Sequence, residues 1–221
     1  MTREAYHKAL KELENELLLM GDMVAKAMKD SIEALQKRDF EVSKGIIKND
    51  LLINKKRFEI EERCLQMIAT QQPMAIDLRT IAAILSIITD LERIGDHAEG
   101  NAKINLLIGS EPLVKPLIDV PRMSEKGLSM LDRVLKAFIN RDAKTARAIC
   151  DEDDEVDALY DQIYRELLLL MIENPKKIEG ATYLIWLAHN LERIADRVTN
   201  IAERVVFMAT GKMEEVNVSK Y

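Results

Sequence analysis

An internal repeat constrains this chain more than any other feature: Asp90-Leu91-Glu92-Arg93-Ile94-Gly95-Asp96-His97 returns one hundred residues later as Asn190-Leu191-Glu192-Arg193-Ile194-Ala195-Asp196-Arg197. A segment that keeps a Glu and an Asp four apart, inside helix-forming sequence, implies one supersecondary unit used twice. The duplication extends outward. With a shift near 103, Arg38-Asp39 meets Arg141-Asp142, Ile46 meets Ile149, Asp50 meets Asp153, and Ile53-Asn54 meets Val156-Asp157.

Composition makes the repeated unit helical. Charged residues are 32% and aromatic residues 5%, with only eight Gly and five Pro among 221 residues, so turn and strand formers are scarce. Leu10, Leu13, Leu17, Met20, Val24, Met28, Ile32 and Leu35 recur at three-and-four spacing and predict a first helix from about residue 4 to 38. Asp39 is placed to cap a second helix, about 41–70, with Ile46, Ile47, Leu51, Phe58, Leu65 and Ile68 on its expected buried side. Pro73 ends it, and a third helix of about 75–108 carries the repeated motif up to Gly109. Three prolines, Pro112, Pro116 and Pro121, then exclude a helix interior and mark a linker over 111–121. Beyond it the pattern predicts helices over about 122–140, 142–174 and 177–210. The expected fold is all-α: two tandem, pseudo-symmetric three-helix bundles, residues 1–110 and 122–221, with short turns between antiparallel neighbours.

The net charge of −6 argues against nucleic acid as a partner. Cys64 and Cys150 are too few and too far apart for a zinc module or a disulfide framework, and read as small apolar fillers in a reducing compartment. No apolar signal segment opens the sequence, and runs such as 167–172 fall far short of a membrane span, so a cytoplasmic protein is expected.

The chemistry concentrates in carboxylates. Glu92 and Asp96 continue a stripe that begins with Leu78, Ile81, Leu85 and Ile88, while Leu91, Ile94 and Ala98 form a second apolar face. The third and last helices are therefore expected to be inner ones. Register then brings more acids in. Asp50 with Asp96, and Asn54 with Glu92, are symmetric about Pro73; Asp153 with Asp196, and Asp157 with Glu192, are symmetric about the Asn174–Pro175 junction. In antiparallel hairpins such pairs lie level to within about 3 Å. His189 stands three residues before Glu192 on the same face. Like charges about 4 Å apart oppose folding by roughly 4 kcal/mol per pair at an effective dielectric of 20, so the clusters need protons, arginines or a cation. Two readings stand: metal binding by Asp50, Asn54, Glu92 and Asp96 and by Asp153, Asp157, Glu192, Asp196 and His189, or a structural network bridged by Arg93 and Arg193. An oxygen-rich donor set suits Mg, Mn, Fe or Ca, with Zn also compatible.

These residues carry a family resemblance. The chain resembles the PhoU family, accessory and regulatory proteins of high-affinity phosphate transport, through 64–69 (Cys-Leu-Gln-Met-Ile-Ala), 71–79 (Gln-Gln-Pro-Met-Ala-Ile-Asp-Leu-Arg), 90–98, 191–196 and 199–203. The resemblance implies two similar three-helix bundles. It implies Glu/Asp-x-x-x-Asp motifs that hold iron, zinc or similar ions in multinuclear clusters: Glu92 with Asp96, Glu192 with Asp196, and by the same pattern Asp153 with Asp157. Asn54 departs from that pattern. The implied role is negative regulation, in which a membrane sensor histidine kinase responds to the phosphate transporter. Its implied partners are that kinase, the transporter's cytoplasmic ATPase and a second copy in a homodimer.

Two other readings compete. A ferritin-like di-metal carboxylate protein needs Glu-x-x-His motifs on core helices, and only Glu4 with His7 has that spacing, at the start of the first helix. A metal-free helical adaptor needs only the fold. No Gly-rich phosphate loop, His-Glu-x-x-His motif or nucleophile with a placed base occurs, so no enzymatic activity is expected.

Overall fold

The structure, a computed structural model, describes residues 3–213. Its elements in order are α1 (Arg3–Lys37), α2 (Phe40–Gln71), α3 (Ile76–Ile108), α4 (Asp119–Asn140), α5 (Ala143–Asp151), α6 (Asp153–Glu173), a single 3-10 turn (Pro175–Lys177) and α7 (Ile178–Thr210). The described residues contain no strand. The first bundle is α1–α3; the second is α4, the α5/α6 pair and α7.

All eight predicted apolar positions of α1 are buried. Two arginine–aspartate corners start the middle elements. Arg38 and Arg141 take positive φ values of 57° and 54°, and the following aspartates cap: Asp39 accepts from the Val42 N–H at 3.0 Å, Asp142 from those of Lys144 and Thr145, each at 3.0 Å. The linker breaks helix as its prolines require, although α4 begins at Asp119 and admits Pro121 in its first turn.

Two expectations are corrected. On α2 the buried series is Ile46, Ile53, Ile60 and Met67, seven residues apart, with Ser43 and Cys64; Leu51, Phe58 and Leu65 face outward, Leu51 at 70% exposure. Both series have the same spacing, so periodicity alone does not choose between them. The continuous helix over 142–174 is in fact broken at Glu152. Residues 151–155 are five consecutive acids, which repel inside one helix. Restarting at Asp153 places Asp153, Asp154 and Glu155 in a first turn, where the positive end of the helix dipole favours them. Arg133 grips Glu152 at the break with two hydrogen bonds of 2.6 and 2.5 Å.

The halves share one hydrophobic core that runs through both bundles. At its centre α3 and α7 pack antiparallel as inner helices, buried around most of their circumference. Across their seam, Asn200 Nδ2 donates to Asp90 Oδ1 at 3.4 Å and Arg197 lies 3.6 Å from the same oxygen. Reciprocally, Asn190 Oδ1 stands 3.3 Å from His97 Nδ1, and Asn190 Nδ2 donates to Asn101 Oδ1 at 3.0 Å. Residues 90 and 197 pair as 97 and 190 do, the mark of a pseudo-twofold axis between the repeated halves. Close approach also joins α1 to α4: a Cβ on Gly21 would collide with Leu135, and one on Gly127 would lie 2.9 Å from Met28 Cε.

Asn105 ties the end of the first bundle together. Fully buried, it donates to Ala34 O at 3.1 Å and Ser43 Oγ at 2.9 Å and accepts from Arg38 Nη1 at 3.3 Å. Asn105→Ala strands buried groups of α1 and α2, and is expected to lower stability by about 2–3 kcal/mol in urea unfolding with little change in helix content.

Candidate metal centres

Each carboxylate is positioned by the hairpin that holds it. In the first bundle, α2 and α3 approach closely beside the motif because Gly95 has no side chain: a Cβ there would stand 3.2 Å from Ile53 Cδ1 and 3.5 Å from Asp50 Oδ1. This sets Asp50 against the Glu92/Asp96 turn, as the register predicts. Burial raises the Asp50 carboxyl above its ordinary pKa, and the negative charges of Glu99, Asp96 and Glu92 raise it further. Asn54 Nδ2 donates to Asp50 Oδ2 at 3.0 Å and partly offsets the shift. Asp50 Oδ1 and Asn54 Oδ1 are both buried with no hydrogen-bond partner. Asp50 also lines a cavity of about 180 Å³ with Glu99 of α3 and Lys26 of α1.

The second bundle concentrates more charge. Asp153 is 4% exposed, at the first turn of α6. Burial pushes its carboxyl up to about 7, reinforced in order by Asp157, Asp196, Glu192 and Asp154. Glu192 is likewise raised to about 7, by burial first and then by Asp196. Asp157 is raised by burial and by Asp196, and Asp196 is raised by burial against the opposing pull of Arg193 and Arg197. The four acids that register pairs in this hairpin thus repel one another in a poorly solvated setting. His189 Nδ1 lies 3.3 Å from Glu192 Oε2, a buried oxygen that makes no hydrogen bond, and its ring packs 6.0 Å from that of Tyr160.

Arginines meet part of this charge. Arg93 Nη1 donates to Asp96 Oδ2 at 3.2 Å, and Arg193 Nη1 to Asp196 Oδ2 at 2.9 Å. Each motif therefore has one bridged aspartate, while Asp50 and Glu192 keep buried oxygens that accept no hydrogen bond. Hard-cation chemistry fits these oxygens. Their present directions do not converge: among the described residues no three His, Cys, Asp or Glu side chains stand together in metal-holding geometry. Sequence reasoning missed Glu99 and Asp154. Glu99 lies three residues after Asp96, but its repeat counterpart is Thr199, so a filter for duplicated acids discards it.

The fold and these clusters define a class: an all-helical protein, duplicated about an inner helix pair, with a surface-reaching carboxylate cluster in each half. The model of the PhoU domain matches twice, over residues 17–104 and 120–205, and the chain belongs to that family. It is 39% identical to a protein of Clostridium acetobutylicum named phosphate-specific transport system accessory protein PhoU homolog, covering 98% of this chain and all of that one. A protein of the same name from Aquifex aeolicus is 38% identical over 93% of each. The crystal structure of the phosphate transport system regulatory protein PhoU from Streptococcus pneumoniae superposes with a TM-score of 0.90 at 32% identity, over 95% of this chain and 99% of that one. PhoU from Pseudomonas aeruginosa gives 0.89, also at 32%, over 94% and 100%.

The raised carboxyls set a direction for pH dependence. Asp153 and Glu192 hold protons in the folded chain up to about pH 7 but release them near 4 when unfolded. Their stabilising effect is full below the ordinary carboxylate range and is lost as pH rises through about 7. Ion-paired acids such as Glu152, lowered by Arg133, act oppositely and lose their effect on acidification. The metal-free protein is therefore expected to melt highest near about pH 5 and lower towards pH 8. Asp153→Asn should flatten that decline in circular-dichroism melts.

Proposed function

We propose that the chain is a non-enzymatic regulator of phosphate uptake and signalling. In this reading it couples a phosphate ABC transporter to a sensor histidine kinase and represses the phosphate-starvation response when phosphate is plentiful. The observation that carries the reading is full-length likeness, in both halves, to proteins whose printed names are those of phosphate transport accessory and regulatory proteins. No helix among the described residues is long and apolar enough to cross a membrane, so contact with a transporter would be made from its surface. The outward series Leu51, Phe58 and Leu65 on α2 supplies an apolar stripe that supports a homodimer or a partner helix. Deleting the gene is expected to raise starvation-gene expression in high phosphate, as read by transcript levels. Unchanged expression would remove the regulatory assignment.

Metal is part of the same proposal. Asp153, Asp157, Glu192 and Asp196, with His189 beside them, would hold a divalent or trivalent cation such as Fe, Zn, Mg or Mn, and Asp50, Asn54, Glu92 and Asp96 a second. The cation would supply the positive charge that four mutually repelling carboxyls lack. Support comes from the partnerless buried oxygens of Asp50, Asn54 and Glu192 and from the raised carboxyls. The second cluster is the stronger one, because Asn54 replaces a carboxylate in the first. Glu192→Ala with Asp196→Ala is expected to lower the metal content of purified protein by elemental analysis. Equal content in the variant would leave the arginine-bridged structural network as the account of that cluster.

A further inference from the structure

Arg38 and Arg141 are repeat counterparts at the two helix corners, with the same left-handed backbone, yet their side chains fare differently. Arg38 donates to the carbonyls of Gly109 and Glu111, to Asn105 Oδ1 at 3.3 Å, and lies over the Phe40 ring. It closes the C-terminal end of α3. In the second half the corresponding duty at the end of α7 falls to another residue: Arg79, from the first turns of α3, donates through Nε to Met208 O at 3.2 Å and packs against Gly211. Arg141 is thereby released. Its guanidinium has no hydrogen-bond acceptor or carboxylate partner among the described residues.

Arg141 instead lines an open cavity of about 570 Å³ at the end of the molecule where α1 and α3 begin. Arg3, His7 and Lys11, at four-residue spacing on one face of α1, line it too. Arg3, like Arg141, has no carboxylate partner among the described residues. Lys11 is paired with Glu14 at 3.3 Å, and Asp77 is the other acid present. Three permanent cations and an imidazole against two carboxylates make this cavity positive in a chain whose net charge is −6. The start of α3 opens on the same cavity: its cap residue, Ala75, offers no side-chain hydrogen bond, and Asp77 in its first turn offsets part of the positive end of that helix dipole.

We propose that this cavity binds a small inorganic oxyanion of the phosphate class, held by the Arg141 and Arg3 guanidiniums with His7 and Lys11 beside them. Planar guanidiniums with unused donors match tetrahedral oxyanions through paired hydrogen bonds. The cavity lies at the other end of α1 and α3 from the Arg38 corner, and its basic groups are distinct from the carboxylate clusters. Binding here does not depend on the regulatory reading, and its test requires no transporter, kinase or metal.

The test is calorimetric titration of chelator-treated full-length protein with inorganic phosphate at low ionic strength. The expected result is one saturable site per chain, weakened at least about tenfold in Arg141→Gly, the scale of losing one charge-assisted partner. Glycine suits the positive φ at this corner, so the variant keeps its melting temperature, which circular dichroism checks. Arg122→Ala, a remote surface change, should leave the affinity unaltered. Absence of saturable binding, or equal affinity in wild type and Arg141→Gly, would overturn the proposal.

Discussion

Everything in this molecule hangs on the antiparallel pairing of α3 with α7. An isolated three-helix unit of this length would expose the second apolar face of its last helix; here each half covers that face with the other's equivalent helix. The repeated Leu-Glu-Arg-Ile-x-Asp segment sits at the middle of the register, with Ile94 and Ile194 fully buried. Within that segment the residues divide their labour by direction. Leu and Ile face the core, Glu and Asp turn towards the hairpin partner, and Arg reaches along the surface to bridge the Asp. Helical periodicity alone separates these duties. A polar seam then fixes the alignment, since sliding α7 by one turn would part Asp90 from Arg197 and Asn190 from Asn101, leaving their polar groups without partners.

Legibility in the sequence followed how local each signal was. The two arginine–aspartate corners and the eight-residue stripe of α1 are set by neighbours within a few positions and appear where the pattern puts them, whereas α4 begins at Asp119, inside the span expected for the proline linker. Tandem units were visible because duplication supplies its own control. The level placement of Asp50 with Asp96 and of Asp153 with Asp196 was legible too, since an antiparallel hairpin with a short turn leaves one register.

Failures came where a residue's surroundings are supplied by another element. On α2, Leu51, Phe58 and Leu65 offer a stripe as regular as that of Ile53, Ile60 and Met67, and only the position of α1 and α3 decides which is buried. The break at Glu152 had a local signal in five adjacent acids, but its location depends on Arg133 reaching across from α4. Glu99 joins the first cluster through packing, not through the repeat. Likewise Arg141 was visible as a partner of Arg38 in the alignment, yet its freedom follows from Arg79 taking the end of α7.

Duplication with unequal halves explains the character of the two clusters. In the first, the amide of Asn54 donates to Asp50 and needs no proton or ion to do so. The counterpart in the second half is Asp157, so the same geometry there sets carboxylate against carboxylate, and Asp153 and Glu192 rise to about 7. That cluster also adjoins the α5/α6 break, whose acidic first turn includes Asp153 itself. Charge at Asp153 is therefore held between two influences, the favourable dipole of its own helix and the repulsion of its hairpin partners. Burial and repulsion prevail, so the carboxyls of Asp153 and Glu192 take up or release protons near neutral pH.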